Sequence, residues 1–205
     1  MKKTIAAVVC AAAAALSVQA HAEDAKVLRM ACESTYAPFV FFDSETGKLK
    51  GFEIDLLEYV AKEMGRKLEV TNMGFDAIIP SMLTGITDVG ASAFTITPER
   101  AKRVLFSKPY YISGLSILVR AEDKDKIKSV KDIENCTICA QIGTSGSMRA
   151  AKVPGAKVRN FNTINDAYLE LGNKGCKAVI TDRPVTAYFL AVRPETAKTY
   201  YHLPT

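Results

Sequence analysis

The sequence predicts an α/β protein made of two units that repeat one logic. Short apolar runs with strand character alternate with segments of helical period, the pattern of a mostly parallel sheet joined by right-handed crossovers. The order strand, helix, strand, helix, strand runs from Val27 to Phe94 and begins again at Thr137. The helices also carry start signals in the right places, Thr97 before Pro98 and Thr163 before Asp166.

In chain order, Val27 to Cys32 alternates as a first strand, and Tyr36-Ala37-Pro38-Phe39 follows as a loop. Phe41 to Gly51, with Asp43, Ser44 and Gly47, reads as a hairpin. Ile54, Leu57, Ala61 and Met64 then form one helical stripe that Gly65 ends. Leu68 to Met73 is the second strand. Asp76 is placed to cap a short helix carrying Ile78, Ile79, Met82 and Leu83, and Asp88 to Phe94 is the third strand. Leu115 to Arg120 is an extended crossover, with a charged stretch, Glu122 to Lys131, beyond it. In the second unit Thr137 to Gln141 is a strand, and Gly143-Thr144-Ser145-Gly146-Ser147 opens a helix. Lys157 to Asn160 is a strand, Ile164, Ala167 and Leu171 mark a helix, Ala178 to Thr181 is a strand, and Pro184 starts the last helix. No return strand or closing helix is read after it.

Three polar groups fall where a strand hands over to a helix: Thr95 with Arg100, the Gly143 to Ser147 turn, and Asp182. In open α/β sheets ligands bind at that edge. Arg100 offers a planar fork that holds a carboxylate through two parallel bonds. The turn adds N–H groups and hydroxyls, and Asp182 accepts only. Taken singly these residues are an exposed helix arginine, a flexible helix entry and an N-cap. Together they describe a receptor for a zwitterion, with the carboxylate on Arg100 and the ammonium on Asp182, since a buried charge must be paired. Tyr36 and Phe75 are candidates to clamp the ligand's side chain, or are ordinary core. Glu33, just before Tyr36, is placed to meet a cationic side chain.

Composition excludes other classes. The 205 residues carry a formal charge of +5. Lys2 and Lys3 precede an apolar, alanine-rich run, Thr4 to Val18, and Ala20-His21-Ala22 has the small-x-small form of a cleavage site, so residues 1–22 read as a signal peptide. Without Lys2 and Lys3, 25 basic residues stand against 22 acidic, with no basic cluster, which argues against nucleic acid. No later stretch is long enough to span a bilayer. Cys10 lies inside the discarded run. Cys32, Cys136, Cys139 and Cys176 remain, in a compartment that permits disulfides. Cys136 and Cys176 each stand two residues before a strand, so parallel neighbours would bring them level; the expectation is a Cys136–Cys176 disulfide, with two small buried thiols the competing reading. His202 is the only histidine left, and neither a metal site nor a cofactor is expected.

The segment Gly51-Phe52-Glu53-Ile54-Asp55-Leu56-Leu57-Glu58-Tyr59-Val60-Ala61-Lys62-Glu63-Met64 resembles, at every fixed position, the signature of the periplasmic solute-binding proteins for polar amino acids, the bacterial extracellular family 3. Thr35 to Phe39, Ile79-Pro80-Ser81-Met82, Thr95 to Arg100, Gly143-Thr144 and Ala178 to Asp182 follow in family order. The resemblance implies a two-lobe periplasmic-binding-protein type II fold: lobe 1 over 23–114, a hinge strand over 115–120 and lobe 2 over 121–205. It implies hinge closure on an L-amino acid in the periplasm and delivery to an ABC-transporter permease; a monomer is expected. It assigns Arg100 to the ligand carboxylate, Asp182 to the ammonium, and Ser92, Thr95 and Thr144 to polar contacts. Lobe 1 is expected to be incomplete at its C-terminus, which lowers stability and affinity, and a degenerate copy is one reading. The same fold resembles cyclohexadienyl dehydratases, in which Glu33 would be the acid; the receptor reading leads, because no nucleophile–base pair accompanies Glu33.

Overall fold

A computed structural model describes residues 26–204. The signal peptide and its cleavage site lie outside the described residues.

The first sheet has the order β5-β1-β6, all parallel, with β1 Val27–Cys32, β5 Lys67–Asn72 and β6 Val89–Gly90. Helix α1, Phe52–Glu63, covers one face and buries Ile54, Leu57 and Ala61 against Leu28, Met30 and Cys32. Helix α2, Phe75–Leu83, sets Phe75 and Ile78 against Ala31. A small antiparallel sheet, β2 Thr35–Tyr36, β3 Val40–Asp43 and β4 Lys48–Lys50, precedes α1. The chain enters α1 through Gly51, whose φ is 129°; a Cβ there would lie 2.3 Å from the Phe39 carbonyl oxygen, so only glycine fits.

The second sheet has the order β11-β7-β10-β8-β9, with β11 at Tyr200–Pro204. Strands β8 Thr137–Gln141, β9 Lys157–Phe161 and β10 Ala178–Asp182 are parallel, and β7 Leu115–Arg120 is antiparallel to β10. The crossover segment is therefore also an inner strand of this sheet. Side chains alternate across it. Ile117, Val119, Ile138, Ala178 and Ile180 face helix α4, Ser145–Ala150; Leu118, Cys139 and Val179 face helices α5, Ile164–Gly172, and α6, Arg183–Val192. Helix α3, Pro98–Ala101, follows the first sheet, capped by Thr97, whose Oγ1 accepts from the Arg100 N–H at 3.2 Å.

The structure corrects the sequence reading in four places. A return strand does exist: after a short helix α7, Thr196–Thr199, strand β11 Tyr200–Pro204 pairs antiparallel with β7, Tyr200 opposite Arg120 and Leu203 opposite Ile117. Its pairing partner lies far off in sequence, so no local pattern marks it. The run Asp88 to Phe94 is strand only at Val89–Gly90, because the Asp88 carboxylate is taken by Arg29 and Ala93 turns to φ 51°. Gly74, not Asp76, occupies the cap of α2, without a side-chain bond. The disulfide joins Cys139, not Cys136, to Cys176, with Cα atoms 5.9 Å apart, and Cys136 is a free thiol. Register does bring Cys136 and Cys176 level, but Cys176 lies in the turn before β10, where strand alternation does not bind it, and packs in the core under α5 with Cys139; alternation in β8 puts the Cys136 position on the opposite, Ile138 face.

Candidate functional site

The carboxyl edges of the two sheets meet across a small cleft. It is lined by Tyr36, Phe75, Ser92, Ala93, Thr95, Arg100, Thr144, Ser145 and Asp182, and its free volume of about 10 Å³ is roughly that of one water. Seven of the eight residues singled out from sequence are brought together here. Glu33 stands just behind them, off the lining.

Each position has a local cause. Thr97 and Pro98 start α3, so Arg100 falls in its first turn and its guanidinium swings back over the cleft. One terminal nitrogen donates to the Thr95 carbonyl at 2.7 Å and the other to the Gly143 carbonyl at 2.9 Å. The guanidinium also lies 5.3 Å from the Phe75 ring centre and 5.1 Å from that of Phe94, two rings that stack on each other at 4.4 Å. Burial pulls the Arg100 pKa down, and the Asp182 charge opposes that pull. On the other side Thr144 caps α4, accepting from the Ser147 N–H at 3.2 Å while donating to the Gln141 carbonyl at 2.7 Å. Gly146 lets this helix sit on β10, for a Cβ there would be 2.3 Å from the Ile180 carbonyl oxygen. That close approach brings the Thr144 turn beside Asp182.

Asp182 occupies the cap position of α6 without making a side-chain cap bond. Its carboxylate faces the cleft instead. Tyr36, from β2, donates to its Oδ2 at 2.5 Å and lies 3.0 Å from the Thr181 hydroxyl. Burial pushes the Asp182 carboxyl up, against the Tyr36 and Ser113 hydroxyls and the Arg100 charge. Glu33 is also buried and pushed up by burial, opposed by bonds from the Gln141 amide at 2.9 Å and from the Thr35 hydroxyl and N–H. The Glu33–Gln141 bond joins the residue after β1 to the last residue of β8. Thr95 to Ser145, at 3.3 Å, is a further crossing. Ser92 accepts from the Glu33 N–H at 3.1 Å and so fixes the β1 exit to the loop after β6.

Sequence reasoning missed Ala93 on the lining, and Gln141 and Ser113 behind it; Ser145 lines the cleft as part of the Gly143 to Ser147 turn already singled out. A strand-terminal glutamine directly before the Gly143 turn was the available signal for Gln141. Ala93 carried none, since alanine does not announce a positive φ.

The profile of the bacterial extracellular solute-binding proteins, family 3, matches residues 28–189. The chain belongs to this family. A probable histidine-binding protein of Campylobacter jejuni is 33% identical over 173 residues, covering 84% of this chain and 66% of that protein. ABC transporter arginine-binding protein 1 of Escherichia coli is 29% identical over 175 residues, 85% of this chain and 70% of that protein. Among solved structures, an ancestral arginine-binding protein bound to arginine superposes with a TM-score of 0.82 at 36% identity, over 88% of this chain and 80% of that one. An ancestral amino acid-binding protein, a precursor of cyclohexadienyl dehydratase, gives 0.78 at 37% identity, over 87% and 79%. This family 3 chain spans 66% of the length of the Campylobacter relative and 64% of a Haemophilus influenzae one, a probable amino-acid ABC transporter-binding protein. Its fold is the two-lobe type II periplasmic-binding fold, and its relatives are named as binding proteins rather than enzymes. No helix among the described residues is long and apolar enough to cross a membrane.

Proposed function

We propose that this chain captures a polar or basic L-amino acid between two lobes, residues 23–114 and 121–205, that move about the hinge strand at 115–120, the strand into which the passage after α3 leads. It works as a monomer in the periplasm, with the signal peptide cleaved after Ala22, and hands its ligand to an ABC-transporter permease in the inner membrane. One observation carries the reading: a buried cation, Arg100, and a buried carboxylate, Asp182, stand on opposite walls of one small cleft with aromatic rings beside them. That is the charge arrangement of an α-amino acid. The ligand carboxylate replaces carbonyl oxygens as partner of the Arg100 fork, and the ammonium shares Asp182 with the Tyr36 hydroxyl. Ser92, Thr95 and Thr144 add polar contacts, while Phe75 and Tyr36 flank the ligand's stem. Glu33 gives the basic preference, because a buried carboxylate just behind the cleft favours a cationic head group. The names of the relatives, histidine- and arginine-binding, agree with this class.

Bonds made directly across the cleft require the lobes to part before a ligand enters. The test is a thermal-shift screen of the mature chain against the common amino acids. A ligand at 100 times its dissociation constant adds about 2.7 kcal/mol of stability. Arginine, lysine, histidine and glutamine should head the ranking. A preference for leucine or glutamate overturns the specificity; no shift with any amino acid, or turnover of prephenate, overturns the receptor reading itself.

A further inference from the structure

Glu53 is the second residue of α1 and is fully buried. Burial is the largest influence on its carboxyl and raises its pKa, opposed by bonds from Tyr110 and Ala93; among the described residues no cation contributes to that shift. A buried carboxylate without a cation persists only where donors satisfy it. Those donors come from two other parts of the chain. The Ala93 N–H points between its two oxygens, at 3.0 and 2.9 Å, and the Tyr110 hydroxyl donates to Oε1. For α1 alone, an apolar residue here would pack without the desolvation cost.

What the carboxylate grips is the backbone of the cleft. Ala93 has φ 51°, a left-handed conformation that alanine rarely adopts. Its neighbours Ser92 and Thr95 line one cleft wall, with the Phe94 ring against the Arg100 guanidinium and the Thr95 carbonyl accepting from it. Tyr110 belongs to the passage between α3 and β7, which joins the two sheets.

We propose that Glu53 is a positioning residue of the amino-acid site: its ionised carboxylate holds Ala93 in the left-handed turn that aims Ser92, Thr95 and Arg100, and through Tyr110 it ties that turn to the passage between the lobes. This rests on the amino-acid-binding reading above. The ionised form is the one required, since protonation places an O–H where two donors already converge. The other titratable groups facing Glu53 are Tyr110 from the passage and Cys32 from β1. Burial pushes both up, the Cys32 thiol to about 12, so both stay neutral where a carboxyl titrates.

The experiment follows the amide resonances of Ala93, Ser92 and Thr95 against pH, with arginine affinity measured by calorimetry over the same range. All three amides should titrate together, with a midpoint above that of an exposed glutamate, and arginine affinity should fall on the acid side of it. Tyr110→Phe removes a donor that favours the ionised form, so the midpoint should move higher still, an effect that loss of helix packing would not give. Glu53→Gln should abolish the titration and weaken arginine binding at least about tenfold. Ala93 without a titration, an unmoved midpoint in Tyr110→Phe, or parental affinity in Glu53→Gln each overturns the assignment. If the parent does not bind arginine, the binding reading fails separately, and the amide titrations still decide whether Glu53 sets the turn.

Discussion

Opening the Cys139–Cys176 bond measures how much of the second lobe depends on it. The bond closes a loop of 37 residues. In the chain-entropy treatment a loop of that size restricts the unfolded chain by about 3.8 kcal/mol at 25 °C. For a chain of this length each kcal/mol moves the melting temperature by about 2–4 °C. Reduction of the mature protein should therefore lower its melting temperature by about 8–15 °C. Both sulfurs sit in the core between β8 and α5, with Leu171 and Val179, and reduction leaves two small apolar side chains where they were, so little native packing is lost. Melts with and without a phosphine reductant give the shift, and peptide mapping after alkylation gives the pairing. Cys32 and Cys136 should be alkylated without reductant under denaturing conditions, and Cys139 and Cys176 only after it. A shift under about 2 °C with the bond present would refute the loop argument. Recovery of a Cys136–Cys176 peptide would refute the face assignment.

Three further outcomes are expected. Arg100→Lys keeps the charge but loses the fork and the flat contact with Phe75 and Phe94; forfeiting one charge-assisted bond and part of the ring contact is about 3 kcal/mol, roughly a hundredfold in affinity, and retention within a few-fold would show that Arg100 is not the carboxylate clamp. Gly146→Ala should destabilise by about 1–3 kcal/mol in urea unfolding, because the Cβ meets the Ile180 carbonyl, whereas an unobstructed helix position would gain about 1 kcal/mol from the same change. Glu33 and Asp182 are held above their ordinary values of 4.5 and 3.8, so the native state keeps protons that the unfolded chain has lost and stability falls as pH rises through that window. Denaturation of the parent and of Glu33→Gln from pH 4 upward should show the shallower fall in the variant, and equal slopes would contradict the assignment.

Local chemistry made much of this legible in advance. Thr97 before Pro98 marked α3, and with it the place of Arg100; Ala178 to Thr181 ahead of Pro184 marked β10 and Asp182. The losses have one cause, which is distance along the chain. Whether Cys136 or Cys139 faces Cys176 depends on which side of β8 is covered by α5. The strand at Tyr200–Pro204 is specified by β7, not by its own residues. Glu53 looks like an ordinary acidic residue in a first helical turn, where it favours the helix dipole, and only the fold brings Ala93 and Tyr110 onto it. Gln141 likewise gains its meaning from Glu33, which the sheets bring opposite it.

The pairing of β7 with β11 also sets an order of assembly. Arg120 finds its partner Tyr200 only 80 residues later. A chain emerging at about 5–20 residues per second leaves that edge of β7 without its neighbour for about 4–16 s. Its other edge is closed by β10, which itself arrives some 60 residues after β7. For those seconds an apolar strand, Leu115-Ser116-Ile117-Leu118-Val119-Arg120, is open to pairing with any extended segment nearby, the circumstance in which strands misassemble. The first sheet waits less, since Met30 of β1 meets Val89 of β6 after 59 residues and the sheet is complete by Gly90. Chains of this protein should therefore need holding chaperones most while β7 is present and Tyr200 is not yet available to pair with it.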